Sequence, residues 1–484
     1  MTTTPSTRTR HFGRAALALV AAAALLGAAS AQDTKLNFEP VGGVVGQAVT
    51  ARAVGLEPGA TYDLVWTSAA AAWNVADGEF YGITSEDTRT VLGRLTADAA
   101  GAATVGFTVP EDYGYVHNVF VERAGEQVAR QGFVVAPALT ISPAAGPPGT
   151  PITVTLTGVG YRFWESVWHL LYDGAHTGWL SAVTTNGTAT AVIPATGGVG
   201  AHTLQVLSGT HPVPYLNQQQ APIYNPQVPT VLGAVFEVTD GPAATWPGPA
   251  EQQLPRVPGG QARDTGAALT ADYLSGPVGS PITLTGVGFP AGAGVDIAWT
   301  AVRGNRLSGK GWEEVVEPLG TATVGADGTF TFRLATPDDL GGTHRFSATS
   351  GGVSADLDYV VTASIAAAPT GPVAPGADIV VTIKGVGWTE TANIYTLLID
   401  NGYVGYGCGF NSRGDVTIHL KAPGARGVHF LSLYPAIYQG DLLGPGSPPD
   451  TATANATYLQ VPMLNWRDHP GEEIPAFQLA FEVR

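Results

Sequence analysis

Apolar and polar residues alternate with a period of two along most of this chain, in short runs. AVTARAV at 48–54, PITVTLT at 151–157, PITLTGV at 281–287 and DIVVTIK at 378–384 are the clearest. Runs of this kind, rich in Val, Ile and Thr, predict β-strands with one buried face. A glycine precedes each and supplies a turn, at Gly46, Gly149, Gly279 and Gly376. After each run the chain reaches Gly55 or a Gly-x-Gly, where a Cβ would obstruct a bend.

The four runs open four copies of one pattern. Each copy later carries a glycine-rich turn, a histidine and another alternating strand, the histidines being His117, His202, His344 and His429. Copies two and four align at an offset of 227 from Gly149/Gly376 through His202/His429, and Leu170, Leu171, Asp173 and Gly178 recur as Leu397, Leu398, Asp400 and Gly405. Copies one and three pair separately: Gly46, Gly55 and Trp66 match Gly279, Gly288 and Trp299 at an offset of 233, and His117 matches His344 at 227. The order is A-B-A-B, a duplicated two-module unit.

The expected divisions are a leader at 1–31, module A1 at 32–137, B1 at 138–240, a Pro/Gly-rich linker at 241–265, A2 at 266–363 and B2 at 364–484. About 113 residues per module, with turn signals between short strands, predicts a seven-stranded antiparallel sandwich. Asp173-Gly174, Asn186-Gly187, Asp327-Gly328 and Asn401-Gly402 read as hairpin turns. Trp66, Trp168 and Trp299, with Tyr395 in the fourth copy, stand where a large ring plugs the space between two sheets.

The segments GPPGTPITVTLTGVGYRF and GPVGSPITLTGVGFPAGAGVDIAW resemble the immunoglobulin-like repeats of secreted bacterial surface proteins, the IPT/TIG-like group in particular. The resemblance covers all four copies and is clearest in their first forty residues. It implies an all-β chain of four tandem immunoglobulin-like sandwiches and an extracellular setting, and it brings no catalytic residues.

Composition agrees with such a fold. The chain holds 63 glycines and 36 prolines in 484 residues and is only 13% charged, which argues against coiled coils and long helical bundles. The net charge is −16, and without the three arginines of residues 1–31 it is −19, so neither nucleic acid nor anionic lipid is an electrostatic partner. Arg8, Arg10 and Arg14 precede an apolar run at 15–26 and the Ala29-Ser30-Ala31 pattern, the order of a secretory signal. Export to the periplasm, cell surface or medium is expected, with no membrane span in the mature chain. The lone Cys408 excludes an intramolecular disulfide and reads as a buried strand cysteine.

The candidate chemistry is sparse. The repeated histidines read as structural, each starting a strand and bonding a loop carbonyl, because modules strung in line cannot pool one residue each into a metal site. Asp173 and Asp400 end the strand beside the histidine strand, which predicts the pairs Asp173–His202 and Asp400–His429. His169 and His176 flank a two-residue turn on one face and are weak candidates for zinc or copper. Arg413-Gly414-Asp415 spells an adhesion tripeptide at an expected hairpin tip.

Long insertions follow His202 and His429. They carry Tyr215 and Asn217 in the first, and Tyr434, Tyr438, Asn465, Trp466, Asp468 and His469 in or beside the second, which suit a sugar or a protein partner. The alternative is that they cover a sheet edge or pack on a neighbouring module. Motifs for nucleophilic hydrolysis, zinc proteolysis, phosphate, dinucleotide or calcium binding are missing, and no cofactor is expected. The expected function is a non-catalytic envelope or surface protein that binds other surface proteins. A carbohydrate-binding or adhesive protein that engages cell-wall glycan is the alternative, and a metal-dependent secreted enzyme a weaker one.

Overall fold

The computed structural model describes residues 33–76, 78–162, 164–210, 213–220, 228, 231–260, 266–304, 312–437, 460–471 and 473–484. The expected leader at 1–31, the end of the linker and Tyr438 lie outside these residues. So does the side chain of Trp466.

The period-two runs become strands whose alternate residues are buried. Ala48–Val54 pairs with Lys35–Glu39 and Ala103–Thr108 to make one three-stranded antiparallel sheet. Packed against it is a sheet of Gly42–Gly43, Glu126–Val135, Tyr115–Arg123, Thr61–Ala76 and Glu79–Thr96. The other three copies repeat this plan. Pro151–Thr157, Pro281–Val287 and Asp378–Lys384 each centre a three-stranded sheet, opposite a larger sheet that contains the histidine strand. The protein is therefore all-β, four tandem immunoglobulin-like sandwiches, each with its own apolar core.

The expected ring plugs sit in these cores: Trp66, Trp168, Trp299 and Tyr395 are all at most 2% exposed. Truncating one of the tryptophans to alanine would cost about 3–5 kcal/mol. In the A modules the indole Nε1 donates to a buried carboxylate, Trp66 to Asp112 at 2.8 Å and Trp299 to Asp339 at 2.9 Å.

Two of the four expected hairpins are turns of another kind. Asn186-Gly187 and Asp327-Gly328 carry the chain from one sheet to the other, because the strands they join belong to different sheets. An Asx-Gly pair supplies the positive φ of a tight turn but does not choose the sheet of the next strand. In B2 the two-residue turn is Asp400-Asn401, one position earlier than expected, with φ of 49° and 66°. Cys408 lies exposed on the outermost strand of its sheet rather than buried.

The modules are not strung in line. Leu398, Tyr434 and Leu464 of B2 belong to the core cluster of B1, so the two B modules share apolar packing. The linker lies along both: the Ala244 N–H donates to Pro148 O at 2.8 Å, and Gln252 exchanges two hydrogen bonds with the backbone of Gln478 at 2.7 and 2.8 Å. The 16- and 18-residue strands Thr61–Ala76 and Glu79–Thr96 run past the A1 sandwich as a two-stranded ribbon. Its Trp73, Val75 and Phe80 pack with Trp179 of B1 and with Ile437, Val461 and Met463 of B2. There the Phe80 N–H donates to Glu390 Oε2 at 2.8 Å.

Candidate functional site

Four parts of the chain meet at the B1–B2 seam. B1 contributes the edge strand Ala189–Pro194, which among the described residues pairs only with Pro151–Thr157. Unpaired edge carbonyls attract donors, and B2 supplies them. Gln478 Nε2 donates to Val192 O at 2.8 Å and to the Tyr434 hydroxyl at 2.9 Å. Asn401 Nδ2 donates to Pro194 O at 2.8 Å. On the neighbouring edge of B1, the strand Ala175–Leu180 is covered by the returning B2 insertion. The Trp179 N–H donates to Pro462 O at 2.8 Å, and the Leu464 N–H to Trp179 O at 2.9 Å.

Between these contacts runs an open trough of about 700 Å³. Trp246 and Pro247 of the linker form one wall, and Thr188, Thr190 and Val192 line the B1 side. Tyr434, Leu464, Asn465 and Gln478 form the B2 side, with Glu111, Glu251 and Arg467 also lining the trough. Its volume is in the range of small-ligand clefts.

The residues singled out from sequence fall into three groups. Tyr434 and Asn465 line the trough but are 2% and 4% exposed; burial pushes the Tyr434 phenol up from its ordinary value, and Asn465 Nδ2 donates to Ser181 O at 2.9 Å. Asp468 is buried beneath the seam. Its carboxylate accepts from the Val183 N–H at 2.8 Å and from the Thr184 N–H and hydroxyl at 2.6 Å each. Burial pushes its pKa up, and these donors pull against that. His469 is also buried, and desolvation lowers its pKa to about 4. Tyr215 and Asn217 lie away from the trough on the surface of B1, beside Gln218, whose side chain bonds Ser208. The described part of the second insertion thus covers a sheet edge instead of standing free.

The third group is the histidines. His202 Nδ1 lies 2.6 Å from Asp173 Oδ2, and His429 Nδ1 lies 2.6 Å from Asp400 Oδ2. In all four modules Nε2 meets the carbonyl oxygen four residues earlier, at Tyr113, Gly198, Leu340 and Ala425, 2.7–2.9 Å away. Each ring thereby closes the loop in front of its own strand. Burial opposes charge on His202, but the Gly198 carbonyl and the Asp173 carboxylate outweigh it and raise its pKa. In the A modules the ring stacks on the core tryptophan, at 4.4 Å for His117 on Trp66 and 4.7 Å for His344 on Trp299.

His169 Nδ1 and His176 Nε2 are 3.1 Å apart, hydrogen-bond distance between two imidazoles, and burial lowers the His176 pKa to about 4. Among the described residues no group of three or more His, Cys, Asp or Glu side chains is placed to hold a metal. The Arg413-Gly414-Asp415 tripeptide is a part of the A2–B2 seam and not a free tip. Gly414 is buried against Asp339 and Leu340, and Asp415 is paired with Lys384 at 3.0 Å.

Trp246, Gln252, Gln478, Arg467 and Glu111 were not legible as site residues. They come from three separate stretches, Glu111 from A1, Trp246 and Gln252 from the linker, and Arg467 and Gln478 from the end of B2, and no spacing rule joins them. The buried Asp112 and Asp339 were also missed from sequence, although a signal was present: they stand five residues before His117 and His344, at the same offset of 227 as the histidines.

No family model matches this chain, and no curated protein matches it. Similar solved structures include the native conformation of E. coli alpha-2-macroglobulin, at 11% identity over 92% of this chain and 30% of that one, with a TM-score of 0.19. This chain spans about a third of that protein's length. A tetra-tandem repeat from the extending region of a large adhesion protein is 12% identical over 93% of this chain and 99% of that one, with a TM-score of 0.19. Invasin, a bacterial integrin-binding protein, is 11% identical over 83% of this chain and 76% of that one, with a TM-score of 0.17. Likeness at this level carries no functional argument, and the fold stands on the chain's own sheets.

Proposed function

We propose that this chain is a non-catalytic, exported envelope or surface protein whose four modules form one fixed body for binding other surface proteins. One observation carries the reading. The side chains best able to do chemistry are bound into the protein's own seams and loops: Asp468 under the B1–B2 seam, Asp173 and Asp400 on their histidines, and Asp112 and Asp339 on core indoles. Groups placed this way hold architecture. The leader-like order of residues 1–31 supports export, and among the described residues no helix is long and apolar enough to cross a membrane.

The test is cell fractionation followed by isolation of native complexes. The expected result is a chain cleaved after Ala31 that co-purifies with an envelope assembly. A full-length chain in the cytoplasm, or a cleaved chain free of any partner, overturns the proposal.

A further inference from the structure

We infer that the trough at the B1–B2 seam binds a short neutral oligosaccharide, an inference that rests on the exported surface role proposed above. A pyranose presents an apolar C–H face and a girdle of hydroxyls, so it needs a flat apolar wall opposite hydrogen-bonding groups. The trough has both. The half-buried Trp246 indole and Pro247 form the wall, and the indole is held from behind by its Nε1–H to Gly149 O and by an edge contact to Phe430 at 6.0 Å. Also lining the trough are the hydroxyl of the exposed Thr190, the Thr188 hydroxyl, which donates to Glu111 Oε1 at 2.9 Å, and Glu251, whose Oε2 accepts from the Gly248 N–H at 2.7 Å; the other oxygen of each carboxylate is the acceptor for sugar O–H groups.

Charge and geometry narrow the class. Two carboxylates against the one guanidinium of Arg467, on a chain of net charge −16, disfavour phosphorylated or acidic sugars. An extended peptide would add to the Ala189–Pro194 edge through its backbone groups. The Val192 and Pro194 carbonyls on that edge are already taken by Gln478 and Asn401, so little ladder remains for a peptide. An acyl chain or amphipathic helix needs a continuous apolar wall, and Thr188, Thr190, Asn465 and Gln478 interrupt it. The floor is tied by the Tyr434–Gln478–Val192 bonds before any ligand arrives, so binding requires little reorganisation.

The experiment titrates the intact mature chain with cellotriose, maltotriose and tri-N-acetylchitotriose. An acidic trisaccharide and an extended hexapeptide are controls, and calorimetry and tryptophan fluorescence are the readouts. One neutral trisaccharide should bind saturably, and Trp246→Ala should weaken it by about tenfold or more. Thr190→Arg places a long side chain into the trough from an exposed position; it should abolish binding and leave the melting temperature unchanged. The inference is overturned by no neutral saccharide binding below about 10 mM, by preference for the acidic sugar or the peptide, or by binding that survives Thr190→Arg. Any of these results leaves the fractionation outcome standing, so the two readings fail separately.

Discussion

The A–B seams and the B1–B2 seam are built on different principles. The A–B seam occurs twice with the same backbone contacts. Gly114 N donates to Val159 O at 3.1 Å and Val159 N to Gly187 O at 3.0 Å; Gly341, Val386 and Gly414 repeat this at 3.1 and 3.0 Å. All three positions recur at the offset of 227. The B1–B2 seam occurs once and is made by side chains that differ between the copies. Asn401, which bonds Pro194, stands where B1 has Gly174, and Asn465 and Asp468 come from the longer insertion. Duplication preserved the seam written in backbone and glycine. The seam that turned two A–B units into one body required the copies to diverge.

The largest effect that would test this contrast is at the repeated seam. A Cβ at Gly114 would fall 1.8 Å from Gly158 O, and one at Gly341 would fall 2.0 Å from Gly385 O. A backbone oxygen cannot step aside as a flexible side chain can. Gly114→Ala and Gly341→Ala should each cost about 3 kcal/mol, measured by urea unfolding. Equal costs support a duplicated seam, and a harmless change at either position breaks the equivalence.

Next is Asp468→Ala, which strips acceptors from the Val183 N–H and from the Thr184 N–H and hydroxyl. The expected loss is about 2 kcal/mol, with faster proteolysis between the B modules and intact A–B pairs in the fragments. Proteolysis that separates A from B first would reverse the order of the two seams.

A smaller effect comes from making one copy like the other. Asn401→Gly installs the residue that B1 has at 174. Its backbone suits the φ of 66°, and it removes the hydrogen bonds to Pro194 O and the Thr196 hydroxyl. About 1 kcal/mol should be lost, seen as a lower melting temperature, and no loss would deny Asn401 its part in the seam.

The smallest effect is on pH. The folded pKa of His202 is raised, so the folded chain holds its proton more tightly than the unfolded chain does. The stabilisation is complete below the ordinary histidine value of 6.5 and is lost as pH rises through the higher folded value. Because nearly half of the Asp173 side chain is exposed to solvent, the amount is about a few tenths of a kcal/mol. Asp173→Asn should flatten that part of the melting temperature–pH curve, and an unchanged slope would place the pH dependence elsewhere.

Much of this protein was legible as sequence. Period-two alternation located the strands because side chains in a strand point to alternate faces, so burial is written locally. The offset of 227 located the paired modules, and Asp173–His202 followed from the turn that brings the two strands together. Other features were not legible. Cys408 falls in an alternating strand, but that strand lies at a sheet edge, where the residue stays exposed. The insertion after His429 carried aromatic and polar residues that suit a ligand, yet 460–468 spends them on the edge of B1.

The sequence by itself determined the strands, the sandwich in each module and the A-B-A-B order, because each depends on contacts between nearby residues or on repetition of one pattern. Tertiary structure alone decided that B1 packs on B2, that the linker lies along both, and that Trp246 and Tyr434 face a common trough. Those choices join residues more than 180 positions apart, Trp246 to Tyr434 and Val183 to Asp468 among them. All four modules offer similar alternating faces, so alternation cannot say which face meets which. A few side chains that fill or cap one particular edge make that choice.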